Sequence, residues 1–398
     1  MKQVGSRRAV SFSPPPPQTI STGFVAAIVG FFSSFPIVLQ GLGSVGASPA
    51  QAASGLMAAA IAMGLAGIAL SLWYRQPISV AWSTPGVALL AVTPAAAGGF
   101  SEAVFGFLVA GLLTVLAGLV RPLGRLITMI PAHLAQAMLA GVLVPLCLVP
   151  FQAVAETPST AIPIVAVWLV AGLVNRHYAV PAAVLAALAV TFHATGGDIA
   201  LPGHLLTRPE LVMPQVGLAG VLGIGVPLFI VTMATQNIPG TAVLRSYGFT
   251  PPAGPLLTTV GGASVLSAGF GAAATCLAAI TAAICANEDS HPDPALRYWS
   301  AVVTGVIYCI FGLVAATTTA IAAAAPPLVL GTLAGVALIN VFAGSTAAAL
   351  SHAAHREAAA VTLLTTASGM AIFGLSAAVW GLIFGGAVHV AKTRLARP

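Results

Sequence analysis

Gln76-Pro77-Ile78-Ser79-Val80-Ala81-Trp82-Ser83-Thr84-Pro85-Gly86 is the stretch whose reading decides the fold. It begins as a short extended piece of alternating character. It then supplies Ser/Thr capping residues and a proline at the first helical position before the apolar Val87–Val92. Its flanks are apolar and almost free of charge, so it reads as a half-helix that starts inside a hydrophobic slab. Non-helical backbone at that depth is tolerated only where it is buried in protein or lines a cavity.

Working outward, the chain is apolar throughout. Of its 398 residues 58% are hydrophobic and 6% charged, a balance no water-soluble fold could bury. A helix needs roughly 20 apolar residues to cross a bilayer core. On that ruler the first half divides into spans near 20–40, 49–73, 77–97, 101–120, 132–151, 160–175 and 178–195. The second half divides near 214–236, 254–269, 272–287, 296–320, 326–349, 357–374 and 376–391. With these boundaries every one of the 14 Lys and Arg residues except Arg208 falls on one side, which by the positive-inside rule places both termini in the cytoplasm. The expected fold is therefore an all-α polytopic membrane protein of about 14 spans.

Seven spans followed by seven invert the second copy, as in the inverted repeats of secondary transporters. Residues 1–18 read as a cytoplasmic tail and 19–195 as the first repeat. Residues 196–213 read as an external connection and 214–398 as the second repeat. The tail ends in Pro14–Pro17, and the first apolar segment has no cleavage site behind it, so it reads as a retained span. The opening helices echo each other: Ser33-Ser34-Phe35-Pro36 in one and Gln236-Asn237-Ile238-Pro239-Gly240 in the other, a proline and polar residues ending both. The counterpart of the Gln76–Gly86 stretch is Ala268–Thr281, where Ala274, Thr275 and Cys276 are read as the start of the second half-helix, on the strength of the repeat.

Two half-helix N-termini facing each other present free N–H groups and partial positive charge, which suits a carboxylate. Ser83, Thr84 and Gly86 would supply one side and Ala274, Thr275 and Cys276 the other. Gln236 and Asn237 form an amide pair within a long charge-free run and must find partners. Trp82 and Phe35 offer aromatic faces. No Asp or Glu falls near the middle of a span. Glu102 and Glu357, at the starts of the fourth and thirteenth spans, and His352 and His355 beside Glu357 are read as loop-side; Glu102 and Glu357 are the candidate proton-coupling residues, with a histidine or the transported acid's own carboxylate as alternatives.

The four cysteines show no metal-ligand or CxxC spacing, and neither a disulfide nor a metal site is expected. No basic cluster suits nucleic acid, so membrane lipid is the expected macroscopic partner. An intramembrane enzyme lacks its motifs, since there is no HExxH, GxSxG or P-loop. An anion channel remains the different-class alternative; the absence of pore-lining charge rings favours a carrier.

The stretches Ile78–Leu90 and Phe229–Gly240 closely resemble segments typical of the bacterial benzoate/proton symporters, the BenE family, and the resemblance extends along essentially the whole chain. That family looks like a branch of the group that includes uracil and xanthine permeases and sulfate and bicarbonate carriers. The resemblance implies a seven-plus-seven inverted repeat with a core domain (about 19–120 and 214–320) and a gate domain (about 121–195 and 321–392). It also implies short strands before the half-helices of spans 3 and 10, with substrate between them. In the nucleobase branch acidic residues in spans 8 and 10 hold the substrate. Here Gln236 and the run Ala273-Ala274-Thr275 stand in those places, which argues for an anion that wants donors.

The function expected is secondary transport of an aromatic carboxylate, benzoate first, by proton symport in the bacterial inner membrane. A nucleobase or other small-anion permease is the alternative. No cofactor is expected beyond the coupling proton, and a homodimer is compatible with the reading.

Overall fold

The computed structural model describes residues 14–120, 131–175, 178–199, 206–370, 372 and 376–395. The first 13 residues of the tail, with Lys2, Arg7 and Arg8, lie outside the described residues, as do Arg121, Arg125, Arg176, His204 and Arg397.

The first half runs α1 (Pro17–Phe32), α2 (Phe35–Ser44), α3 (Pro49–Tyr74), β1 (Val80–Trp82), α4 (Thr84–Ala91) and α5 (Gly99–Leu119). It continues with α6 (Ala132–Glu156), α7 (Pro158–Val174) and α8 (Ala179–Ala194). The second half opens with π1 (Gly220–Gly225), α9 (Val226–Thr232), π2 (Met233–Asn237) and α10 (Ile238–Ser246). Then come α11 (Ala253–Ala268), β2 (Thr275–Leu277), α12 (Ala279–Ala286), α13 (Tyr298–Leu313), α14 (Ala315–Ala323), α15 (Val329–Leu350), α16 (Arg356–Ala367) and α17 (Ala377–Leu395). Among the described residues seven helical stretches are long and apolar enough to cross a membrane; others, such as α7, α8 and α11, are apolar but shorter. The chain is a multi-pass membrane protein.

Local chemistry explains the boundaries. Ser48 and Gln51 form a reciprocal capping box at the start of α3, with Pro49 in its first turn. Arg75 ends α3 in the left-handed region at φ 51°, and Gln76-Pro77 prevents its continuation. Three expectations are corrected. The helix entered at residue 218 does not end at Gln236–Pro239; it runs through both π segments to Ser246. Each π segment is followed by a proline, Pro227 or Pro239, whose ring would clash with the carbonyl four residues earlier, and a widened turn relieves that clash. The stretch read as one span over 296–320 breaks at Val314, where α13 gives way to α14.

The third correction concerns Ala274, Thr275 and Cys276. Thr275 and Cys276 form strand, preceded by Ala274, and the second half-helix begins only at Ala279.

The long connection between the halves seals several of these interruptions. Thr207 N–H and hydroxyl both donate to the Leu313 carbonyl (2.7 and 3.0 Å), and its Oγ1 accepts from Ala316 N–H (2.8 Å). Val212 N–H reaches the Gly269 carbonyl (2.7 Å), and Glu210 N–H reaches Ser54 Oγ (2.8 Å). A segment read as a loop is thus the cap for three helix ends, because the free N–H and C=O groups of helix ends must find partners.

Packing sorts the helices into two groups. In one, α3 lies along α13 and α11, α5 along α11, and α1 along α13. In the other, α6 lies along α15, α16 and α17. The groups touch where α2 meets α15 and α4 meets α6. Small residues allow the closest approach: at the α3–α13 crossing, Gly64 and Gly305 face each other's backbone. A Cβ on Gly64 would sit 2.5 Å from the Gly305 carbonyl oxygen and 2.6 Å from Cys309 Sγ. Gly64→Val should therefore lower the detergent-solubilised protein's stability by about 1–3 kcal/mol or more, read as a fall in Tm. Gly344→Ala, where nothing lies within 4 Å, should leave it within about 1 kcal/mol.

Candidate substrate site

β1 and β2 form an antiparallel pair in the register Val80↔Leu277, Ala81↔Cys276 and Trp82↔Thr275. The ladder is extended by Ser83 N–H to Ala274 carbonyl (2.8 Å) and Ala278 N–H to Ser79 carbonyl (3.0 Å). That alternation turns the N–H groups of Thr275 and Leu277 away from β1. Both are met by side chains: Ser264 Oγ accepts from Thr275 (2.8 Å) and Asn237 Oδ1 accepts from Leu277 (2.9 Å). A buried Ser79 hydroxyl against Thr281 Oγ1 (2.6 Å) ties β1 to α12.

An eight-residue helix follows each strand. α4 is capped by Ser83, whose Oγ accepts from Gly86 N–H (3.1 Å) and from the Thr232 hydroxyl (2.8 Å). α12, with Ala278 as its N-cap, has no side-chain cap. At its other end the buried Arg297 guanidinium donates to the carbonyls of Ala286 (2.8 Å) and His291 (2.7 Å), a cation placed where the helix dipole is negative.

The expected site residues separate into two kinds. Ser83, Asn237, Trp82 and Gly86 are engaged internally. Trp82 Nε1 donates to Ser34 Oγ (2.8 Å), and its ring lies 5.2 Å from Phe31, on which Phe35 stacks at 5.9 Å. Phe311 completes this aromatic group, 4.9 Å from Phe31. A Cβ on Gly86 would meet Leu228 Cδ1 at 2.5 Å and Ser83 Oγ at 2.7 Å. Ala274 and Cys276 are buried backbone contributors, and Cys276 is a free thiol.

The second kind has hydrogen-bonding capacity to spare. Thr275 Oγ1 is buried with no partner, directly across from Trp82 and next to the α4 cap. Half-buried Gln236 and Thr84 make no side-chain hydrogen bond among the described residues, and Gln40 Oε1 on α2 is buried and unpartnered. From the second helix group, α6 packs against both α4 and π2.

Two cavities adjoin this region. One of about 1190 Å³ lies between α5, α10 and α11; Met233, Asn237, Thr241 and Arg245 are on its wall. The other, about 120 Å³, lies where α1 and α2 meet α8, α14 and α15, with Phe32 and Phe35 on one side and Thr191 and Thr318 among otherwise apolar residues. No strand-pair residue lines either cavity, and all six strand residues are buried except the half-buried Ala81.

The two acidic candidates are placed very differently. Glu102, read as loop-side, is instead buried, its Oε2 accepting from Gly98 N–H (3.0 Å) and its Oε1 from Gly220 N–H (3.0 Å), so it joins α5 to π1. It is the one buried carboxylate of the eight in the chain, all of which are described. Glu357 is exposed and ion-paired with Lys392. Sequence reasoning gave no role to Ser34, Thr232 or Ser264. Thr232 alone had a local signal: four residues before Gln236, it shares a helix face with it.

A strand pair between two short helices, set in an apolar bundle, defines a membrane-protein fold that solved structures share. It is similar to the transmembrane domain of the cyanobacterial bicarbonate transporter BicA, with a TM-score of 0.58 at 17% identity over 95% of each chain. It is also similar to SLC26A9, with a TM-score of 0.65 at 12% identity, covering 94% of this chain and 65% of that one. The family described as "Benzoate membrane transport protein" (BenE) matches residues 13–391. Inner membrane protein YdcO of Escherichia coli K12 is 38% identical over 387 residues, 97% of this chain and 98% of YdcO. The benzoate membrane transport protein of Acinetobacter baylyi is 28% identical over 363 residues, covering 91% and 92%. The chain belongs to the benzoate membrane transport protein family and is a transporter, not an enzyme.

Asn237 supplies a test of the strand's anchoring. Asn237→Ala strands the buried Leu277 N–H and should cost about 1–3 kcal/mol, read as a lower Tm. Asn237→Asp retains an acceptor oxygen and should recover much of that loss.

Proposed function

We propose that this transporter imports an aromatic carboxylate, benzoate first, across the bacterial inner membrane in symport with protons. The carrying observation is Thr275 Oγ1, a buried hydroxyl without a partner beside the N-terminus of α4. A carboxylate offers the acceptor it lacks. The uncapped start of α12 adds N–H donors of the kind anions seek, and Gln236 and Thr84 add side-chain donors. The name of the Acinetobacter relative supports benzoate, and the Phe31, Phe35 and Trp82 rings provide an apolar edge for an aromatic ring.

In this reading the two strand and half-helix units are the inverted centres of a 14-span, seven-plus-seven repeat with both termini in the cytoplasm. The core domain comprises about 19–120 and 214–320 and the gate domain about 121–195 and 321–392. The two packing groups support that division. Substrate biases a pre-existing equilibrium between inward- and outward-open arrangements of core against gate. Glu102 is the coupling carboxylate: its burial and its link to the helix that carries Gln236 give a proton there a route to the site's geometry. A small inorganic anion is the second reading, favoured by the bicarbonate carrier among the fold neighbours.

The test is uptake of radiolabelled benzoate into proteoliposomes under an inward proton gradient, against an empty-liposome blank. Saturable, uncoupler-sensitive uptake is expected. Thr275→Val removes a hydrogen bond to a charged group, worth roughly 1.5–3 kcal/mol, and should raise KM about tenfold or more. No uptake above blank, with bicarbonate carried instead, overturns the substrate. Glu102→Gln should abolish gradient-driven accumulation yet retain benzoate exchange between the two faces. Gradient-driven accumulation by Glu102→Gln equal to wild type overturns the coupling role.

A further inference from the structure

Far from the strand pair in sequence, three histidines converge. His133 is the second residue of α6, His355 closes the single 3-10 turn before α16, and His389 lies on α17. The His133 and His355 rings stack at 4.6 Å and 7°. His389 is 4.9 Å from the first and 5.0 Å from the second, at 49° and 54°. One ring nitrogen from each lies within 4.8 Å of the others. His133 Nε2 and His389 Nδ1 are buried and have no hydrogen-bond partner. Leaving such atoms unsatisfied is costly, and ring stacking does nothing for a lone pair.

We propose that His133, His355 and His389 form a binding site for a divalent transition-metal ion of the zinc class. Imidazole nitrogen suits zinc, copper and nickel, whereas calcium and magnesium want oxygen, which this trio does not offer. Around a zinc ion at about 2.0–2.1 Å, tetrahedral nitrogens stand roughly 3.4 Å apart, so side-chain rotations of about an ångström close the present arrangement. Three protein ligands leave a fourth position for water.

The site joins the start of α6 to the turn before α16 and to α17, two of the elements packed around α6. The surrounding charges do not compete: Glu357 is held by Lys392, Arg356 donates to the Leu350 carbonyl (2.9 Å), and His352 is exposed. Because α6 also abuts α4 and π2, a metal here restrains the helix that faces the substrate site. The expectation of no metal site, drawn from cysteine spacing, had no means of seeing this cluster.

The experiment is equilibrium dialysis of the untagged, detergent-solubilised protein against zinc chloride, with Tm recorded with and without zinc. One zinc per chain is expected, with a rise in Tm. His133→Ala, His355→Ala and His389→Ala should each weaken binding by at least the 10- to 100-fold that loss of an outer-shell partner costs, and should erase the rise in Tm. His352→Ala should bind as wild type does. Cobalt(II) should give visible absorption bands that zinc displaces in the wild type and that His389→Gln lacks. Failure of the wild type to retain zinc, or equal retention by monodisperse triad variants, overturns the proposal.

Discussion

Every backbone polar group inside an apolar slab must be satisfied by the protein, and the β1–β2 pair is where that constraint is hardest to meet. Two segments of the chain leave helical geometry side by side. Each would strand several N–H and C=O groups if it did so alone. Pairing them antiparallel satisfies the inner edges, while Ser264 and Asn237 satisfy the N–H groups that β2 turns outward. This mutual need joins the two halves of the chain, alongside the close helix packing between them.

The same constraint governs the rest of the architecture. The connection between the halves fastens to Leu313, Gly269 and Ser54, and Arg297 closes the far end of α12. Where backbones are already satisfied within helices, the structure relies on close approach instead, as at Gly64 and Gly305 or at Gly106 against the Gly220 carbonyl. Polar fastening is concentrated at the breaks and tight packing along the continuous helices.

Legibility in the sequence follows from the same division. The first break was readable because its cap is local: Ser83, Pro85 and Gly86 sit within four residues and carry their own conformational signals. The second was placed too early because Ala272–Ala274 and Ala278–Ala279 hold no capping side chain; strand there is imposed by β1, a partner nearly 200 residues away. The π segments were invisible, since Pro239 signals a helix end unless the turn before it widens. Asn237 was recognised as needing a partner, but its partner is the backbone of Leu277, which no sequence pattern names. The three-histidine cluster was unreadable for the same reason, as its members come from three elements.

The division also bears on how such a carrier moves. Hydrogen bonds within the α1–α5 and α9–α13 group, from the Thr232 hydroxyl to Ser83 Oγ, from Leu277 N–H to Asn237 Oδ1 and between the Ser79 and Thr281 hydroxyls, tie the strand pair to its two short helices and to the helix that carries Asn237. Across to α6 the described contact is packing: α4 and π2 meet it without a hydrogen bond among the described residues. Sliding over such a boundary sacrifices dispersion contacts that re-form in the next position, whereas breaking the strand pair would expose buried donors at about 1–3 kcal/mol each. In the proposed transport cycle, motion therefore belongs at the α6 boundary, with the strand pair carried intact and the unpartnered Thr275 hydroxyl travelling with it.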